Sequence, residues 1–328
     1  MSLPEDLPWF QNQVPFRERK MRRTERNIPG LIGKTPMVRL SKIEKYFGLK
    51  ARLYAKLERY NPSGSVKDRA ALFMIRNAVS RGLIKQGSIV IEPTSGNTGI
   101  SLSMLSAIYG YRAVIVMPES MSAERVEMIR AYGGEVVLTP AESGMSGAIG
   151  RAEELAAEIK EAYIPSQFNN EHNLLAHYAT TGPEIYRERE GEVDIFVCGV
   201  GTGGSFCGVG RFLKEKNPSV KLFAVEPSES AVLSGGSVGK HGIQGIGAGF
   251  MPPLFDKTLA DGVICVSTEQ ARELCSLISK KEGIFAGVSS GASLFGAISL
   301  AKEKENQNKS IVTLFPDGGE KYLSVISV

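Results

Sequence analysis

The chain has 328 residues, of which 42% are hydrophobic and 23% are charged, and these values predict an ordinary globular protein with two domains or one large α/β unit. Its formal charge of +4 is small for this length and gives no reason to expect a nucleic-acid partner. We find no run of 18 apolar residues and no charged-then-apolar leader, so we expect neither membrane insertion nor secretion, and a cytoplasmic location.

Four cysteines are too sparse for a disulfide scaffold and lack the close paired spacing of a zinc site. All four lie in or beside apolar runs, so we expect buried thiols, a reducing compartment and no bound metal. These cysteines are Cys198, Cys207, Cys265 and Cys275.

Residues 1–27 predict an N-terminal arm. Apolar and aromatic residues between Leu7 and Phe16 precede a run rich in arginine that ends at Arg26. The acidic residues Glu5 and Asp6 are unlike a transit peptide. We expect the arm to pack its aromatic side chains on the body of the protein or on a second subunit, with a mobile or cleaved tail as the alternative.

The turn sequence 61–64 reverses the chain ahead of a predicted helix. Ser65 and Asp68 have the spacing of a capping box, and the helix that follows stops near Gly82. Lys67 then lies in the first turn, where the positive end of the helix dipole disfavours a cation. An amine that loses its proton easily can form a Schiff base, although this stretch alone fits a solvated lysine as well.

Residues 28–170 are predicted to form the first α/β domain. Residues 37–40 and 52–57 predict short strands, which can cross to the sheet of the second domain. After the Lys67 helix, strands alternate with helices, which predicts a parallel sheet covered on both faces. The predicted strands are 88–92, 112–117 and 136–138, and the helices are 100–109, 122–132 with Ser122 as its cap, and 148–159.

A second α/β domain is predicted over residues 171–328, with the boundary inside a helical segment near 167–190. Further strands are predicted at 193–198, 220–225, 262–266 and 311–315. Ser267 and Gln270 form a second capping box, which opens a helix that ends near Lys281.

The loop 199–205 carries four glycines between a strand and a helix, the arrangement that brings backbone N–H groups to a phosphate. Gly199, Gly201 and Gly204 match the dinucleotide pattern G-x-G-x-x-G, and Glu226 follows at the distance of a ribose-binding acid. Alternatively, the Thr202 and Ser205 hydroxyls join the backbone amides around a single phosphate. The loop by itself leaves both interpretations open.

The polar loop 94–99 decides between them. It follows a strand, opens a helix and gathers hydroxyls, an amide and backbone N–H groups, which suit a substrate carboxylate better than a pyrophosphate. The side chains concerned are Thr94, Ser95, Asn97 and Thr98. A Schiff-base lysine, a monophosphate cradle and a carboxylate pocket together predict a pyridoxal phosphate enzyme that acts on an amino acid.

The serine-rich segment 287–291 also precedes a helix. A serine hydroxyl on the cofactor's pyridine nitrogen would not keep that nitrogen protonated. The ring would then be a weaker electron sink, which favours elimination of a β-substituent. The segment also fits an ordinary helix cap.

The sequence resembles the cysteine synthase (O-acetylserine sulfhydrylase) family of fold-type II pyridoxal phosphate enzymes. The resemblance covers nearly the whole chain, from about Ile28 to Leu323. It rests on N-P-S-G-S-V-K-D-R at 61–69, P-T-S-G-N-T-G at 93–99, G-T-G-G-S at 201–205 and Q-G-I-G-A-G-F at 244–250. It implies a tryptophan synthase β-like fold, with two domains that each contain a mostly parallel twisted sheet between helices.

The resemblance also implies a role for each matching residue. Lys67 forms the Schiff base with the cofactor and removes the Cα proton. Residues that bind the cofactor are Lys67, Asn97 at its 3′-oxygen, Gly201, Thr202, Gly203, Gly204, Ser205, and Ser289 at the pyridine nitrogen. Residues that bind the substrate are Thr94, Ser95, Asn97, Thr98, Gln167, and Gly245 at the mouth of the site. Ser205 stands where the family more often has threonine, which keeps the hydroxyl.

The implied reaction is β-replacement: O-acetyl-L-serine loses acetate to give a bound aminoacrylate, and sulfide adds to give L-cysteine. Cystathionine β-synthase, cyanoalanine synthase and O-phosphoserine sulfhydrylase share these motifs and remain alternatives. A phosphorylated substrate would want an extra cation, for which Lys240 and His241 are candidates. A nicotinamide-dependent dehydrogenase and a non-catalytic binding homologue are remoter alternatives. A homodimer is expected, and family members can bind serine acetyltransferase.

Overall fold

The computed structural model of the chain describes residues 27–94 and 96–324. The predicted arm, apart from Asn27, and the predicted substrate ligand Ser95 lie outside the described residues. Among the residues that are described, we find no helix with the length and apolarity needed to cross a membrane.

Strands and helices alternate along most of the described chain. The strands are β1 Met37–Arg39, β2 Arg52–Leu57, β3 Ile89–Pro93, β4 Arg112–Pro118, β5 Glu135–Thr139, β6 Ala162–Tyr163, β7 Ile195–Gly199, β8 Lys221–Pro227, β9 Gly262–Val266 and β10 Ser310–Phe315. The helices are α1 Ile28–Leu31, α2 Ser41–Phe47, α3 Lys67–Ser80, α4 Asn97–Tyr109, α5 Ala123–Ala131, α6 Gly144–Glu158, α7 Glu171–Ala176, α8 Gly182–Glu188, α9 Gly204–Lys216, α10 Thr268–Glu282 and α11 Val288–Lys302. A π-helical turn, His177–Thr181, joins α7 to α8, and the short 3-10 helix Gly319–Tyr322 follows β10.

The strands form two sheets. The larger has the order β1-β2-β10-β7-β8-β9, in which β1 is antiparallel to β2 and the other pairs are parallel. The smaller has the order β5-β4-β3-β6 and is parallel throughout. Although β1 and β2 precede the smaller sheet along the chain, they pair within the larger one. The predicted fold class is therefore correct, while the domain boundary near residue 170 stays a prediction.

Central strands and their covering helices are buried because their sequences are apolar or small on every face. All six residues of β10 are buried, as expected of a parallel strand with helices on both sides. Helices α4 and α11 are buried over most of their lengths, and their many serines, glycines and alanines let them approach the sheets closely. The carboxyl ends of β3, β7 and β10 lead directly into the loops around the cleft, where ligands bind in open α/β sheets.

Two of the predicted helix caps differ from the structure. The Ser267–Gln270 capping box is present, with the hydroxyl accepting from the Gln270 amide at 3.1 Å. The Ser65–Asp68 capping box is wrong, because the Asp68 carboxylate instead accepts hydrogen bonds from the backbone and hydroxyl of Ser63. Ser122 stands at the N-cap of α5, but its hydroxyl donates to the Lys321 carbonyl at 2.9 Å.

Three smaller features were missed or predicted wrongly. Strand β6 has two residues and α2 has seven, lengths at which a periodic pattern is weak. Cys265 is exposed rather than buried because it lies on the edge strand β9, while the other three cysteines are buried.

Candidate active site

Lys67 is the first residue of α3 and lies in the wall of a cavity of about 190 Å³. The same cavity brings together seven other predicted site residues: Thr94, Asn97, Thr98, Gln167, Gly201, Thr202 and Gly245. Within the described part of the chain, the Lys67 amine makes no hydrogen bond or ion pair through Nζ. The structure therefore places an unpaired amine where sequence analysis expected the reactive lysine.

Burial lowers the pKa of the Lys67 amine, because water no longer stabilises the charged form. The Asp317 carboxylate opposes this shift and the Arg125 guanidinium adds to it. The largest cause of the lowered pKa is therefore loss of solvent, and not the helix dipole expected from the sequence. An amine with a lowered pKa is a better nucleophile and base near neutral pH.

The glycine loop after β7 forms the opposite wall. Gly201, Thr202, Gly203 and Ser205 line a narrower space of about 30 Å³ next to Lys67, together with Ser289. A side chain at Gly201 would overlap the Gly245 carbonyl oxygen, and Gly203 has a φ of +88° at the start of α9. Backbone N–H groups at this helix start can therefore approach an anion closely. Gly204 packs against Asn173 rather than into this space.

A buried histidine orients the hydroxyl of this loop. His177 Nε2 lies 3.1 Å from Ser205 Oγ, and its Nδ1 lies 2.9 Å from Thr181 Oγ1. Burial, with the nearby Arg69 guanidinium, lowers the pKa of His177 to about 3, so the ring is neutral. If Nε2 carries the proton and Thr181 donates to Nδ1, the Ser205 O–H is left to donate to a phosphate oxygen.

The polar loop after β3 forms a pocket with Gln167. Thr98 Oγ1 donates to Gln167 Oε1 at 2.6 Å, and Gln167 Nε2 donates to the Pro93 carbonyl at 3.3 Å. The backbone N–H of Gln167 donates to the buried Glu92 carboxyl at 3.0 Å, and burial raises the pKa of Glu92 to about 8. These contacts fix Gln167 opposite Thr94, as a carboxylate pocket requires.

Gly96 stands between this loop and α4 because no other residue fits there. Its φ is +133°, and a Cβ would overlap the side chain of Arg125. Arg125 is fully buried and donates to the Gln244 amide oxygen and to Tyr322 Oη. Gln244 and Gly245 line the cavity, so α5 is linked to the cavity wall through the Arg125 side chain.

Asn97 and Ser289 complete the predicted cofactor contacts. Asn97 Nδ2 donates to Asp317 Oδ2 at 2.7 Å, and Lys321 Nζ donates to Asn97 Oδ1 at 3.1 Å. Ser289 is 3% exposed, and its hydroxyl has no hydrogen-bond partner among the residues that the structure describes. The hydroxyl is thus available to a ligand in the narrower space.

The sequence did not reveal the residues that distant segments bring to the site: Met121, Met145, Phe168 and Ile246 in the cavity wall, His177 behind the glycine loop, Arg125 against Gln244, and Asp317 and Lys321 against Asn97. One signal could have found Asp317: a polar residue directly beyond a buried parallel strand, in a turn with Gly318 and Gly319.

The dinucleotide interpretation fails at its acidic residue. Glu226 is 1% exposed, and its carboxylate accepts the backbone N–H groups of Leu233 at 2.7 Å and Ser234 at 2.9 Å. A carboxylate engaged in this way holds a loop of its own chain and is not available to a ribose. The glycine loop is left as a cradle for one phosphate.

Comparison with known proteins agrees with this geometry. The family model described as pyridoxal-phosphate dependent enzyme matches residues 28–317. The chain belongs to this family. It is 48% identical to a cysteine synthase of Staphylococcus aureus over 91% of this chain and 95% of that protein.

Two solved structures share the fold over nearly the whole chain. A hydrogen sulfide-producing enzyme from Fusobacterium nucleatum has a TM-score of 0.88 and 44% identity, and the match covers 90% of this chain and 99% of that one. A cysteine synthase from Entamoeba histolytica has a TM-score of 0.89 and 41% identity, and the match covers 95% and 93%. These findings confirm the resemblance, the fold class and the cofactor predicted from sequence.

The residues present fit pyridoxal phosphate. The glycine loop offers backbone N–H groups and the Ser205 hydroxyl to the phosphate, Ser289 offers a hydroxyl to the pyridine nitrogen, and Lys67 offers an amine to the aldehyde. The narrower space holds all of these groups, and the larger cavity adjoins it through Lys67 and Asn97. Ser95, also predicted to bind substrate, lies outside the described residues.

Proposed function

We propose that this protein makes L-cysteine and acetate from O-acetyl-L-serine and sulfide. The observation that carries the proposal is the unpaired amine of Lys67, which shares one cavity with the pocket of Thr94, Thr98 and Gln167 and faces the glycine loop. Bound pyridoxal phosphate supplies an electron-withdrawing group at the substrate Cα. The chain itself binds the substrate, orients it and moves one proton.

Each part of the site has a task in this proposal. The substrate carboxylate lies in this pocket, where the Thr94 hydroxyl, the second Nε2–H of Gln167 and the N–H groups at the start of α4 donate to it, while the Thr98 hydroxyl holds Gln167. This contact brings the Cα–H bond next to Lys67 Nζ. Because burial lowers the pKa of Lys67, its neutral amine accepts the Cα proton and acetate leaves. Serine rather than aspartate at position 289 favours rapid elimination.

The charges around the cavity favour an acetyl over a phosphate leaving group. Among the described residues in its wall, the ionisable side chains are Lys67 and His241. His241 Nε2 lies 2.9 Å from the Gly247 carbonyl, and its Nδ1 accepts from the Ile243 N–H at 3.3 Å, so both nitrogens are in use. Lys240 is exposed and outside the wall. Among the described residues of the wall, a phosphorylated substrate would find no second cation.

Steady-state rates with O-acetylserine, O-phosphoserine and serine, each with sulfide as nucleophile, test the substrate. We expect O-acetylserine to have a kcat/KM at least tenfold above the other two. Equal or higher values for O-phosphoserine or serine would replace the proposal with O-phosphoserine sulfhydrylase or a serine-dependent enzyme. Replacing sulfide with homocysteine or cyanide separates cystathionine β-synthase and cyanoalanine synthase from the proposed activity.

We also infer the setting in which the enzyme works. A boundary near residue 170 divides the domain of residues 28–170, whose strands β1 and β2 pair in the larger sheet, from the domain of residues 171–328 that carries the glycine loop. A homodimer in the cytoplasm is the expected form, and the C-terminal peptide of serine acetyltransferase is a candidate ligand of the cleft. Sedimentation of the purified protein, with and without that peptide, measures both associations.

A further inference from the structure

The carboxamide of Asn97 lies between two buried charged residues of the segment after β10. Its Nδ2 donates to Asp317 Oδ2 at 2.7 Å, and its Oδ1 accepts from Lys321 Nζ at 3.1 Å. Asp317 is 1% exposed and Lys321 is 0% exposed. Both charged groups are therefore buried inside the protein, next to the Asn97 carboxamide.

These two partners allow the carboxamide one orientation. An ammonium group can only donate and a carboxylate can only accept. A flipped Asn97 would place its NH₂ against the Lys321 ammonium and its carbonyl against the Asp317 carboxylate, and both contacts would be repulsive. Away from water such contacts are costly. The amide therefore keeps one Nδ2–H on Asp317 and has a second Nδ2–H to spare.

The backbone holds this pair of charges in place. Asp317 forms an antiparallel bridge with Ser65, two residues before Lys67, and its carbonyl accepts from the Gly287 N–H at 3.1 Å. The Lys321 carbonyl accepts from the Ser122 hydroxyl. The segment after β10 thus touches the Lys67 turn, the start of α5 and the segment before Ser289.

We propose that Asp317 and Lys321 are positioning residues that fix the Asn97 carboxamide so that its second Nδ2–H donates to the 3′-oxygen of bound pyridoxal phosphate. The proposal rests on the cofactor role assigned above to Asn97. It adds two charged residues to the site that act through Asn97 and do not touch the substrate. Burial lowers the pKa of the Lys321 amine, and the Asp317 and Asp68 carboxylates oppose that shift and favour the ammonium form.

A double-mutant cycle tests whether Asp317 acts through Asn97. Asp317→Asn, Asn97→Ala and the double variant are titrated with pyridoxal phosphate, and the visible absorption maximum and the dissociation constant are measured. We expect Asp317→Asn to weaken binding about tenfold and to shift the visible band, the size expected for loss of one hydrogen bond to a charged ligand. In the Asn97→Ala background the same substitution should change the dissociation constant less than about twofold.

An equal effect in both backgrounds would overturn the proposal, because Asp317 would then act on the cofactor through its charge alone. Lys321→Met should reproduce the spectral shift of Asp317→Asn, whereas Lys321→Arg, which keeps a positive charge, should keep the visible band of the wild type. A Lys321→Met protein with an unchanged spectrum would also overturn the proposal. This measurement tests the proposal even if the Asp317→Asn protein does not fold.

Tyr322→Phe is the matched control for folding. It removes the hydroxyl that donates to Asp317 Oδ2 at 2.7 Å but leaves the contacts of Asn97 with Asp317 and Lys321. We expect it to lower the free energy of unfolding and to leave the spectrum and the dissociation constant within twofold. A shift as large as that of Asp317→Asn would contradict the proposal. All of these experiments measure cofactor binding and none measures cysteine formation. A wild-type enzyme that binds the cofactor but makes no cysteine would therefore refute the proposed function and leave this inference intact.

Discussion

Two lysines of the chain illustrate two ways in which a buried charge is used. Lys56, on β2, is 0% exposed, and its amine donates to the Thr35 carbonyl at 2.6 Å and to both Glu188 oxygens. It also lies 3.0 Å from Glu184. Lys67, ten residues after the end of β2, faces the cavity with no such partner in the described chain. One amine is fixed by acceptors and the other is available for chemistry.

The same contrast exists within one turn of α3. Arg69, two residues after Lys67, points to the opposite side and forms a buried ion cluster with Glu58 and Glu184. Its guanidinium donates to Glu58 at 2.7 and 2.8 Å and to Glu184 at 2.8 Å twice, and these carboxylates raise its pKa despite burial. One face of α3 is thus held by the buried ion pairs of Arg69, and its face towards the cavity carries the unpaired amine of Lys67.

Removing the unpaired amine should have the largest effect on function and a small one on stability. Lys67→Ala deletes both the nucleophile and the base, so we expect turnover to fall by at least about a thousandfold. The glycine loop is untouched, so the variant should still bind pyridoxal phosphate noncovalently. Steady-state assays and thermal unfolding of the variant measure the two effects. Retention of most activity would mean that another lysine is the catalytic one.

Removing a paired charge should do the reverse. Arg69→Met leaves Glu58 and Glu184 buried without their guanidinium, so we expect a loss of about 3–5 kcal/mol in the free energy of unfolding. Arg112→Met is the matched control, because its 2.7 Å pair with Glu135 is more than half exposed and is worth about 1 kcal/mol or less. Urea unfolding compares the two. Equal losses would show that burial of the pair is irrelevant to its strength.

The buried His177 behind the glycine loop extends the comparison of buried groups to one whose charge depends on pH. The pKa of His177 is lowered to about 3 in the folded protein and is about 6.5 when unfolded, so the unfolded chain binds the extra proton between these values. The stability contributed by the neutral His177 should therefore be fully present above pH 6.5 and fall as the pH drops towards 3. His177 should contribute a loss of about 2 kcal/mol between pH 7 and pH 5, and the buried Glu92 carboxyl, whose pKa is raised to about 8, opposes it.

His177→Gln keeps a hydrogen-bonding side chain but cannot take up that proton. Urea unfolding at pH 7 and pH 5 should show that acidification is less unfavourable to this variant than to the wild type by about 2 kcal/mol. An identical difference would assign the acid sensitivity to other groups. Glu184 is not one of these groups, because the Arg69 guanidinium helps hold its pKa near 2 and its contribution is lost only below about pH 4.5.

Local sequence signals were sufficient to predict most of the helices and strands and the candidate site residues at the ends of strands. Strand β9 has the predicted bounds, and the glycine loop and the 94–99 loop stand where the pattern of a strand followed by a helix places them. Lys67, Asn97 and Ser289 converge because each lies at or near the start of a helix on the cleft side. These predictions depended only on the types and spacing of residues that are close together in the sequence.

Contacts between distant segments could not be read from the sequence. Asp68 looked like a capping residue, but its carboxylate is used by Ser63 and by Ser101 of α4. Glu226 looked like a ribose ligand, but it holds the backbone at 233–234. Arg125, 197 residues before Tyr322, meets it only through the packing of α5 on the segment after β10. A local rule cannot anticipate a competing partner that the fold supplies.

Borohydride reduction of the cofactor-loaded enzyme, followed by peptide mass mapping, tests the central claim most directly. The account predicts a stable pyridoxyl adduct on the peptide that contains Lys67, at a stoichiometry near one per chain. An adduct on a peptide with Lys56 or Lys321, or no adduct in a sample that has bound the cofactor, would contradict it.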